Sequence, residues 1–332
     1  MREIAYQRAT QVRDALTAVA NDAGARYLGG GTNLVDLMKG GIEQPTRLVD
    51  VRRLPLDGVR EHADGGGLVI GATTSNSDLA AHPEVRRRFP ALTQAVLAGA
   101  SGQLRNMATV AGNLLQRTRC GYFAQLSHAC NKRVPGSGCA AIEGIHHNHA
   151  VLGHSRHCVA THPSDMAVAL AAFDAVVHYE TLDGVGEIPL SQFYTPVGDS
   201  PDRETLLPAG ALVTSVALPA SAVSPRSRYR KVRERASYAF ATVSVAAALD
   251  MRDGEVRDAR IALGGIASRP WRARSAEALL RGARPTPERV RAAAEEALGE
   301  AEPLRDNAYK VALAINLVDA VLSELAGTEN DR

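Results

Sequence analysis

Aromatic residues make up only 4% of this chain of 332 residues, and opposite charges nearly cancel, leaving a formal net charge of +2. The strong basic excess of nucleic-acid-binding domains is therefore missing, so no nucleic acid is expected as a partner. No apolar run approaches the roughly 18 residues of a membrane span, and Met1–Tyr6 has no apolar signal-peptide core. With 45% hydrophobic residues, the composition indicates a soluble globular protein of two or three packed units.

Cysteine is scarce as well, and its four copies all lie between residues 120 and 158. Thiolates are soft ligands that select zinc, copper(I) or iron–sulfur clusters. The spacing C-x9-C-x8-C-x18-C lacks the close pairs of ordinary zinc knuckles and ferredoxins. Three interpretations therefore stay open: a metal or cluster site, two disulfides in an oxidising compartment, or four buried and unreactive thiols.

The same part of the chain is rich in glycine and histidine but shows little helical or strand periodicity. This predicts a long irregular loop over residues 119–158, and such loops are usually functional or held in place by a ligand. Most of its histidines are expected to be exposed or to support the ligands rather than to ligate. Seven of the ten histidines lie in or just after the loop: His128, His146, His147, His149, His154, His157 and His162.

A glycine-rich segment near the N-terminus has the order of a phosphate-binding loop. A predicted strand, Ala25–Leu28, runs into Gly29-Gly30-Gly31-Thr32-Asn33, and a helical turn begins at Leu34. Glycine allows backbone N–H groups to face a phosphate without a side chain in between. Because Leu34 stands where G-x-G-x-x-G needs a small residue, the segment is not a dinucleotide fingerprint. A simple tight turn is the alternative.

Other polar segments suit ligand binding. Thr73–Asn76 follows a predicted strand, and Arg105–Asn113 places Thr, Gly and Asn together in what is predicted to be a loop. A helix is predicted over Met166–Ala172 with Ser164 as its cap. Asp165 in its first turn either stabilises the helix dipole or accepts hydrogen bonds from a ribose.

The C-terminal part has a mixed α/β pattern. Strands are predicted over 212–218, 243–249 and 261–266, and helices over 288–298 and 310–325. The segment Arg226–Arg235 carries six basic residues, some of them alternating as on a strand at the edge of a sheet. It is interpreted as a solvated face, with a partner-docking surface as the alternative.

The glycine segment, Gly71-Ala72-Thr73-Thr74, Arg105–Asn113 and Pro163-Ser164-Asp165 together resemble the FAD-binding subunit of the molybdenum hydroxylases, the xanthine dehydrogenase and aldehyde oxidoreductase family. The likeness covers nearly the whole chain. The strings around the four cysteines are similar to the branch of periplasmic aldehyde oxidoreductases whose flavin subunit holds an additional [4Fe–4S] cluster. One departure is Ala111, which precedes Gly112 where the family often has a second glycine.

The resemblance implies an α+β fold of two domains. Residues 1–200 would form a two-part FAD-binding domain of the PCMH/vanillyl-alcohol-oxidase type, with the iron–sulfur loop inserted at residues 119–159. Residues 201–332 would form a smaller, sandwich-like α/β domain like the C-terminal domain of CO dehydrogenase flavoproteins.

The resemblance also implies site residues. The segment from Arg26 to Leu34 would wrap the FAD pyrophosphate, Asp165 would bind the adenosine half, and Lys231 would lie near the isoalloxazine. The complete set expected to bind FAD is Arg26, Tyr27, Leu28, Gly29, Gly30, Gly31, Thr32, Asn33, Leu34, Thr74, Thr109, Gly112, Asn113, Asp165 and Lys231. The cluster ligands would be Cys120, Cys130, Cys139 and Cys158. No catalytic acid, base or nucleophile is expected.

The implied function is electron transfer inside a heterotrimer. A large subunit would carry the molybdenum cofactor, a small subunit two [2Fe–2S] clusters, and this chain would pass electrons through FAD to an external acceptor. The alternatives are a stand-alone FAD-dependent oxidase and a zinc-stabilised scaffold without enzymatic activity. The expected location is the cytoplasm, or the periplasm by export together with a partner that carries the signal.

Overall fold

The computed structural model describes residues 3–63 and 65–327. The strands of this part are β1 (Ala5–Arg8), β2 (Ala25–Leu28), β3 (Arg47–Asp50), β4 (Val59–Glu61), β5 (Leu68–Gly71), β6 (Val176–Thr181), β7 (Gly184–Pro189), β8 (Leu212–Leu218), β9 (Ser227–Val232), β10 (Val243–Arg252), β11 (Glu255–Gly264) and β12 (Trp271–Arg272).

Many of the helices are only one or two turns long. They are α1 (Val12–Ala20), α2 (Leu34–Lys39), α3 (Asn76–Ala81), α4 (Pro83–Arg88), α5 (Pro90–Ala98), α6 (Gly102–Met107), α7 (Val110–Leu114), α8 (Gly121–Ala124), α9 (Ala140–Glu143), α10 (Asp165–Ala172), α11 (Leu190–Phe193), α12 (Arg274–Leu280), α13 (Pro287–Glu296) and α14 (Tyr309–Ala326). None of these helices combines the length and the apolar character needed to cross a bilayer.

A small parallel sheet in the order β1-β3-β2 forms the N-terminal unit. Helix α1 covers it by packing Ala15 and Leu16 against Ala25 and Val49. Strand β2 ends at Leu28, so the glycine segment lies at the carboxyl end of a parallel strand. Loops at this edge of a parallel sheet are common ligand sites.

A five-stranded antiparallel sheet has the order β4-β5-β8-β6-β7. Its central strand β8 pairs with both β5 and β6. The sheet therefore takes in residues 212–218, which lie beyond the boundary expected at residue 200.

The third sheet is antiparallel, with the order β12-β11-β10-β9. Side chains of β10 alternate between its two faces: Val245 and Ala247 pack under α12 to α14, whereas Ala246 and Ala248 pack toward α10. Helix α10 therefore lies in the core between the second and third sheets. This places its first turn, with Asp165, next to β9.

The basic segment occupies the edge strand of this sheet, as the alternation of its charges indicated. Arg228 and Arg230 both pair with Glu324 of α14, at 2.7 and 2.6 Å. Lys231 instead points inward, and its side chain is only 3% exposed. The segment is thus divided between an ion-paired face and the interior.

The loop over 119–158 is mostly irregular, in agreement with the prediction, and contains only the short helices α8 and α9. Lys310, the second residue of α14, connects this loop to the C-terminal domain. Its Nζ donates to the carbonyls of Asn148, His149 and Gly265 at 3.1, 3.0 and 2.6 Å. Trp271 of β12 packs over Gly153 of the loop.

The Arg105–Asn113 segment was predicted to be a loop, and this is wrong, because it forms the end of α6 and most of α7. Both helices are stabilised by side-chain caps. The Ser101 hydroxyl accepts from the Leu104 N–H at 3.3 Å, and the Thr109 hydroxyl accepts from the Gly112 N–H at 3.2 Å.

Candidate functional site

A cavity of about 430 Å³ lies where the glycine segment, α5, α7, α10 and β9 meet. Its wall is partly apolar and partly polar, which is typical of sites for small molecules and cofactors. The residues on its wall include Gly31, Thr32, Asn33, Asn76, Val96, Ala108, Gly112, Asn113, Gln116, Arg119, Asp165, Met166, Lys231, Tyr238 and Phe240.

The glycine segment passes very close to the end of α6. A Cβ atom on Gly30 would stand 1.7 Å from the Met107 carbonyl oxygen, and one on Gly29 would stand 2.8 Å from Thr109 Oγ1. Gly31 has a φ of +73°, a conformation that side chains disfavour. The absence of side chains thus brings the backbone of this segment to the cavity wall.

Two buried polar atoms on the cavity wall have no hydrogen-bond partner: Asn33 Nδ2, a donor, and Asn76 Oδ1, an acceptor. The orientation of Asn33 is fixed, because its Oδ1 accepts from the Arg117 backbone N–H at 3.0 Å. Buried polar groups are nearly always paired, so two unpaired atoms on residues that line the same cavity favour a polar ligand there.

A buried ion pair stands at the α10 side of the cavity. Lys231 Nζ lies 2.7 Å from Asp165 Oδ2 and also donates to the Ala98 carbonyl at 3.2 Å. The Tyr229 hydroxyl donates to Asp165 Oδ1 at 2.5 Å. Burial and the neighbouring carboxylate raise the pKa of Tyr229 well above 10. The resemblance implies that Asp165 binds the adenosine half of FAD and that Lys231 lies near the isoalloxazine. The two side chains contact each other directly on the cavity wall.

Seven of the fifteen residues expected to bind FAD line the cavity: Gly31, Thr32, Asn33, Gly112, Asn113, Asp165 and Lys231. The others contribute to its support or point elsewhere. Tyr27 donates through its hydroxyl to the Gly210 carbonyl at 2.7 Å, Thr74 to the Gly58 carbonyl at 3.1 Å, and Arg26 to the Ala25 carbonyl at 2.8 Å. Gly29, Gly30 and Thr109 lie where the glycine segment packs against the end of α6 and the start of α7. Leu28 and Leu34 flank the glycine segment.

Sequence reasoning did not single out Asn76, Arg119 or Phe240 as site residues. The Arg119 guanidinium lies 4.9 Å from the centre of the Phe240 ring. Both residues also border a second cavity of about 530 Å³ that reaches Cys120. The only signals available were the polar turn at Asn76 and the position of Arg119 directly before a cysteine.

The four cysteines are free thiols, so the structure contains neither of the two disulfides considered above. Cys130 and Cys139 face each other through a backbone bridge, and Cys120 packs against a small cluster that contains Cys158. Cys120 is also close enough to Cys130 and Cys139 for their charges to interact. Burial raises the pKa of Cys120, and that of Cys158 to about 11.

In residues 3–63 and 65–327, no three His, Cys, Asp or Glu side chains stand close enough to share a single metal ion. A histidine nevertheless contacts one thiol, since His149 Nε2 lies 3.2 Å from Cys120 Sγ. Burial, together with the charge of Lys310, lowers the pKa of His149 to about 4, so this imidazole is neutral at pH 7.

Comparison with known proteins explains the two-part construction. The family model "FAD binding domain in molybdopterin dehydrogenase" matches residues 2–221, and "CO dehydrogenase flavoprotein C-terminal domain" matches residues 227–325. The chain belongs to this family of FAD-binding subunits. Its first part is therefore the FAD-binding domain, and its last sheet with α12 to α14 is the flavoprotein C-terminal domain.

Relatives of this flavin-binding chain are oxidoreductase subunits. The chain is 49% identical over 325 residues to the aldehyde oxidoreductase FAD-binding subunit PaoB of Escherichia coli K12, covering 98% of both chains. It is 29% identical over 304 residues to the carbon monoxide dehydrogenase medium chain of Hydrogenophaga pseudoflava, covering 90% of this chain and 88% of the relative. A solved carbon monoxide dehydrogenase structure from that organism superposes with a TM-score of 0.75, 27% identity and 99% coverage of both chains.

Proposed function

We propose that this chain is the FAD- and [4Fe–4S]-binding electron-transfer subunit of a molybdenum-dependent aldehyde oxidoreductase complex. Its partners would be a large subunit with the molybdenum cofactor and a small subunit with [2Fe–2S] clusters. The observation that carries the proposal is the 49% identity, over 98% of both chains, to an aldehyde oxidoreductase FAD-binding subunit. The division into domains would then fall between residues 221 and 227.

The cavity supports the FAD part of the proposal. Backbone N–H groups of the glycine segment would bind the pyrophosphate, where an approaching phosphate meets no side chain. Asn33 Nδ2 would donate to the cofactor and Asn76 Oδ1 would accept from it, which would satisfy the two unpaired atoms. Bound FAD supplies the redox chemistry that accepts electrons from the small subunit and delivers them to an external acceptor.

The Asp165–Lys231 pair would act as one unit on the cofactor. Asp165 holds the Lys231 ammonium in place from one side, and the Ala98 carbonyl holds it from another. Because Asp165 offsets the charge of Lys231, the pair carries no net charge. We therefore expect Lys231 to orient the cofactor through an N–H of its ammonium group.

The cysteine loop supports the cluster part. Four free thiols approach one another from three parts of a loop that has little regular structure of its own. A cubane is larger than a single ion, so its four thiolates need not converge on one point. Burial keeps Cys120 and Cys158 protonated, and ligation of iron would release their protons.

Metal and flavin analysis of one anaerobic preparation tests the proposal. We expect about one FAD per chain and about four irons beyond those of the small subunit. A yellow protein without these irons would remove the cluster and leave the FAD subunit. One zinc with neither iron nor flavin would favour the scaffold instead. Oxidation of a substrate by this chain without its partners would favour a stand-alone oxidase.

A further inference from the structure

We infer that His149 donates an N–H···S hydrogen bond to the Cys120 thiolate and thereby raises the reduction potential of the cluster. The inference rests on the cluster proposed above, and it assigns a positioning and tuning role to a residue that the sequence marked only as one of seven loop histidines. Its basis is the 3.2 Å distance between His149 Nε2 and Cys120 Sγ, which lies within the hydrogen-bonding range of a sulfur acceptor.

Hydrogen bonds on both sides hold the backbone of His149 in place. Its N–H donates to the His146 carbonyl at 2.9 Å. Its carbonyl accepts from Lys310 Nζ at 3.0 Å and from Asn307 Nδ2 at 3.3 Å. The residue itself is only 9% exposed. These contacts hold the imidazole against the thiol without any help from a metal, so the geometry is built into the loop.

The chemistry of the sulfur decides which atom donates. A ligating cysteine is a thiolate, and a thiolate accepts hydrogen bonds but cannot donate them. The ring nitrogen that faces it must therefore carry the proton. His149 Nδ1 has no hydrogen-bond partner that would hold the proton on the other side of the ring.

Such a bond has a defined electrostatic consequence. Reduction adds negative charge to the cluster and its thiolates, and an N–H dipole aimed at a sulfur stabilises that charge. Backbone N–H groups of Tyr122 and Phe123 also reach the Cys120 thiol. His149 adds a side-chain donor to this set, and a side chain can be replaced while the backbone stays the same.

Neighbouring histidines are engaged elsewhere, which distinguishes His149 from them. The ring of His146 contacts the Ala141 carbonyl at 3.1 Å and accepts from the Asp306 N–H at 3.2 Å. His154 lies 2.7 Å from the Glu302 carbonyl, and His157 pairs with Asp199 at 3.0 Å. His154 therefore provides a matched control in the same loop.

The test uses the anaerobically purified complex, labelled with 15N-histidine and reduced with dithionite. Pulsed EPR of the fast-relaxing [4Fe–4S] signal should show a weak 15N coupling, which is the signature of a hydrogen-bonded and non-ligating nitrogen. The coupling should disappear in His149→Gln and persist in His154→Gln. Absence of the coupling in the unsubstituted complex, or a strong coupling from direct ligation, would overturn the inference.

Redox titration of the same signal provides the second measurement. We expect the midpoint potential to become more negative in His149→Leu, to stay nearer the original in His149→Gln, which keeps an N–H donor, and to be unchanged in His154→Leu. Equal shifts in His149→Leu and His149→Gln would contradict a donor role. If His149→Leu does not assemble the cluster, the 15N coupling of the unsubstituted complex decides whether His149 donates this hydrogen bond.

Failure of this inference differs from failure of the proposed function. A complex without the additional four irons overturns both. A complex that contains those irons but lacks the 15N coupling overturns only the role of His149.

Discussion

Gly30 has no room for even one methyl group, because a Cβ atom would stand 1.7 Å from the Met107 carbonyl oxygen. We expect Gly30→Ala to lower the free energy of unfolding by about 1–3 kcal/mol, since the backbone must shift, and to reduce bound FAD severalfold. Gly102→Ala is the matched control, because a Cβ there would meet nothing within 4 Å. Urea unfolding and flavin content measure both effects. Normal FAD content in Gly30→Ala would contradict the assignment of this segment.

The Asp165–Lys231 pair is the second site at residue scale. Lys231→Met leaves a buried carboxylate without its cation, which costs about 3–5 kcal/mol, and we expect weaker FAD binding as well. The double variant Asp165→Asn/Lys231→Met should lose less stability than the sum of the two single variants.

Arg230→Met is the control for this pair. Arg230 is on the same strand and pairs with Glu324, but its side chain is half exposed, so its loss should cost at most about 1 kcal/mol. Chemical denaturation and FAD titration of the original protein, the two single variants, the double variant and Arg230→Met measure the effects. Equal losses for Lys231→Met and Arg230→Met would show that burial of the pair has no energetic consequence.

Sequence patterns reveal some of these residues and hide others for physical reasons. The glycine segment is visible because three glycines between a strand and a helix are a local signal. The contact between Asp165 and Lys231 joins residues 66 positions apart and depends on how α10 packs between two sheets. The unpaired Oδ1 of Asn76 likewise reflects tertiary packing, which no local pattern records.

At the scale of elements, the spacing of apolar residues predicted the bounds of those strands and helices whose buried side chains follow that spacing. Strands β2 and β8 have the bounds expected from the sequence, and Ser164 caps α10 as expected. Helices α6 and α7 were missed because capping hydroxyls, rather than an apolar stripe, stabilise them. Strand β11 begins at Glu255, well before the predicted residue 261, because pairing with β10 extends it through a charged stretch.

Lys310 connects α14 to the cysteine loop and gives a prediction at this scale. Lys310→Met would leave the carbonyls of Asn148 and Gly265 without their donor, and the His149 carbonyl with Asn307 Nδ2 alone. We expect a loss of about 2–4 kcal/mol in the free energy of unfolding. Limited proteolysis should also cleave the loop over 119–158 faster. Arg291→Met, which removes an exposed pair with Glu295 on α13, should change neither measurement appreciably.

The pH dependence of this contact has a definite sign. Burial lowers the pKa of Lys310 from 10.5 to about 7. Between these values the unfolded chain binds a proton that the folded protein does not, so the contribution of Lys310 to stability rises with pH. We expect the stability difference between the original protein and Lys310→Met to grow from pH 7 to pH 9. A constant difference in urea unfolding across this range would contradict the lowered pKa.

At the scale of the whole molecule, the cysteine loop joins the two domains, and the single tryptophan of the chain reports on that contact. Trp271 of β12 packs over Gly153, between the C-terminal sheet and the loop. Anaerobic chelation of the proposed cluster should loosen the loop and shift the Trp271 emission to longer wavelength. A chelator control on cluster-free protein should produce no shift. Complete loss of iron without a change in emission would show that the loop holds its position without the cluster.

The fold class was recognisable from motifs distributed along the chain, whereas the path of the central sheet was not. A strand at 212–218 could be predicted from its own residues, but its insertion between β5 and β6 depends on pairing with partners far away in sequence. Residue composition changes near residue 200, so local signals favour a break there, although the sheet continues past it.

The insertion of β8 between β5 and β6 has a consequence for biosynthesis. The ribosome releases β5 and β6 before β8, and β5 far earlier than β6. Until β8 is made, each strand has an open edge that could pair with another nascent chain. A translation product that stops before residue 212 would therefore keep a gap in the middle of this sheet. The sheet of the first domain is complete only after β8 has been synthesised, and β8 follows the whole cysteine loop in the chain. We therefore expect FAD to bind only after that point.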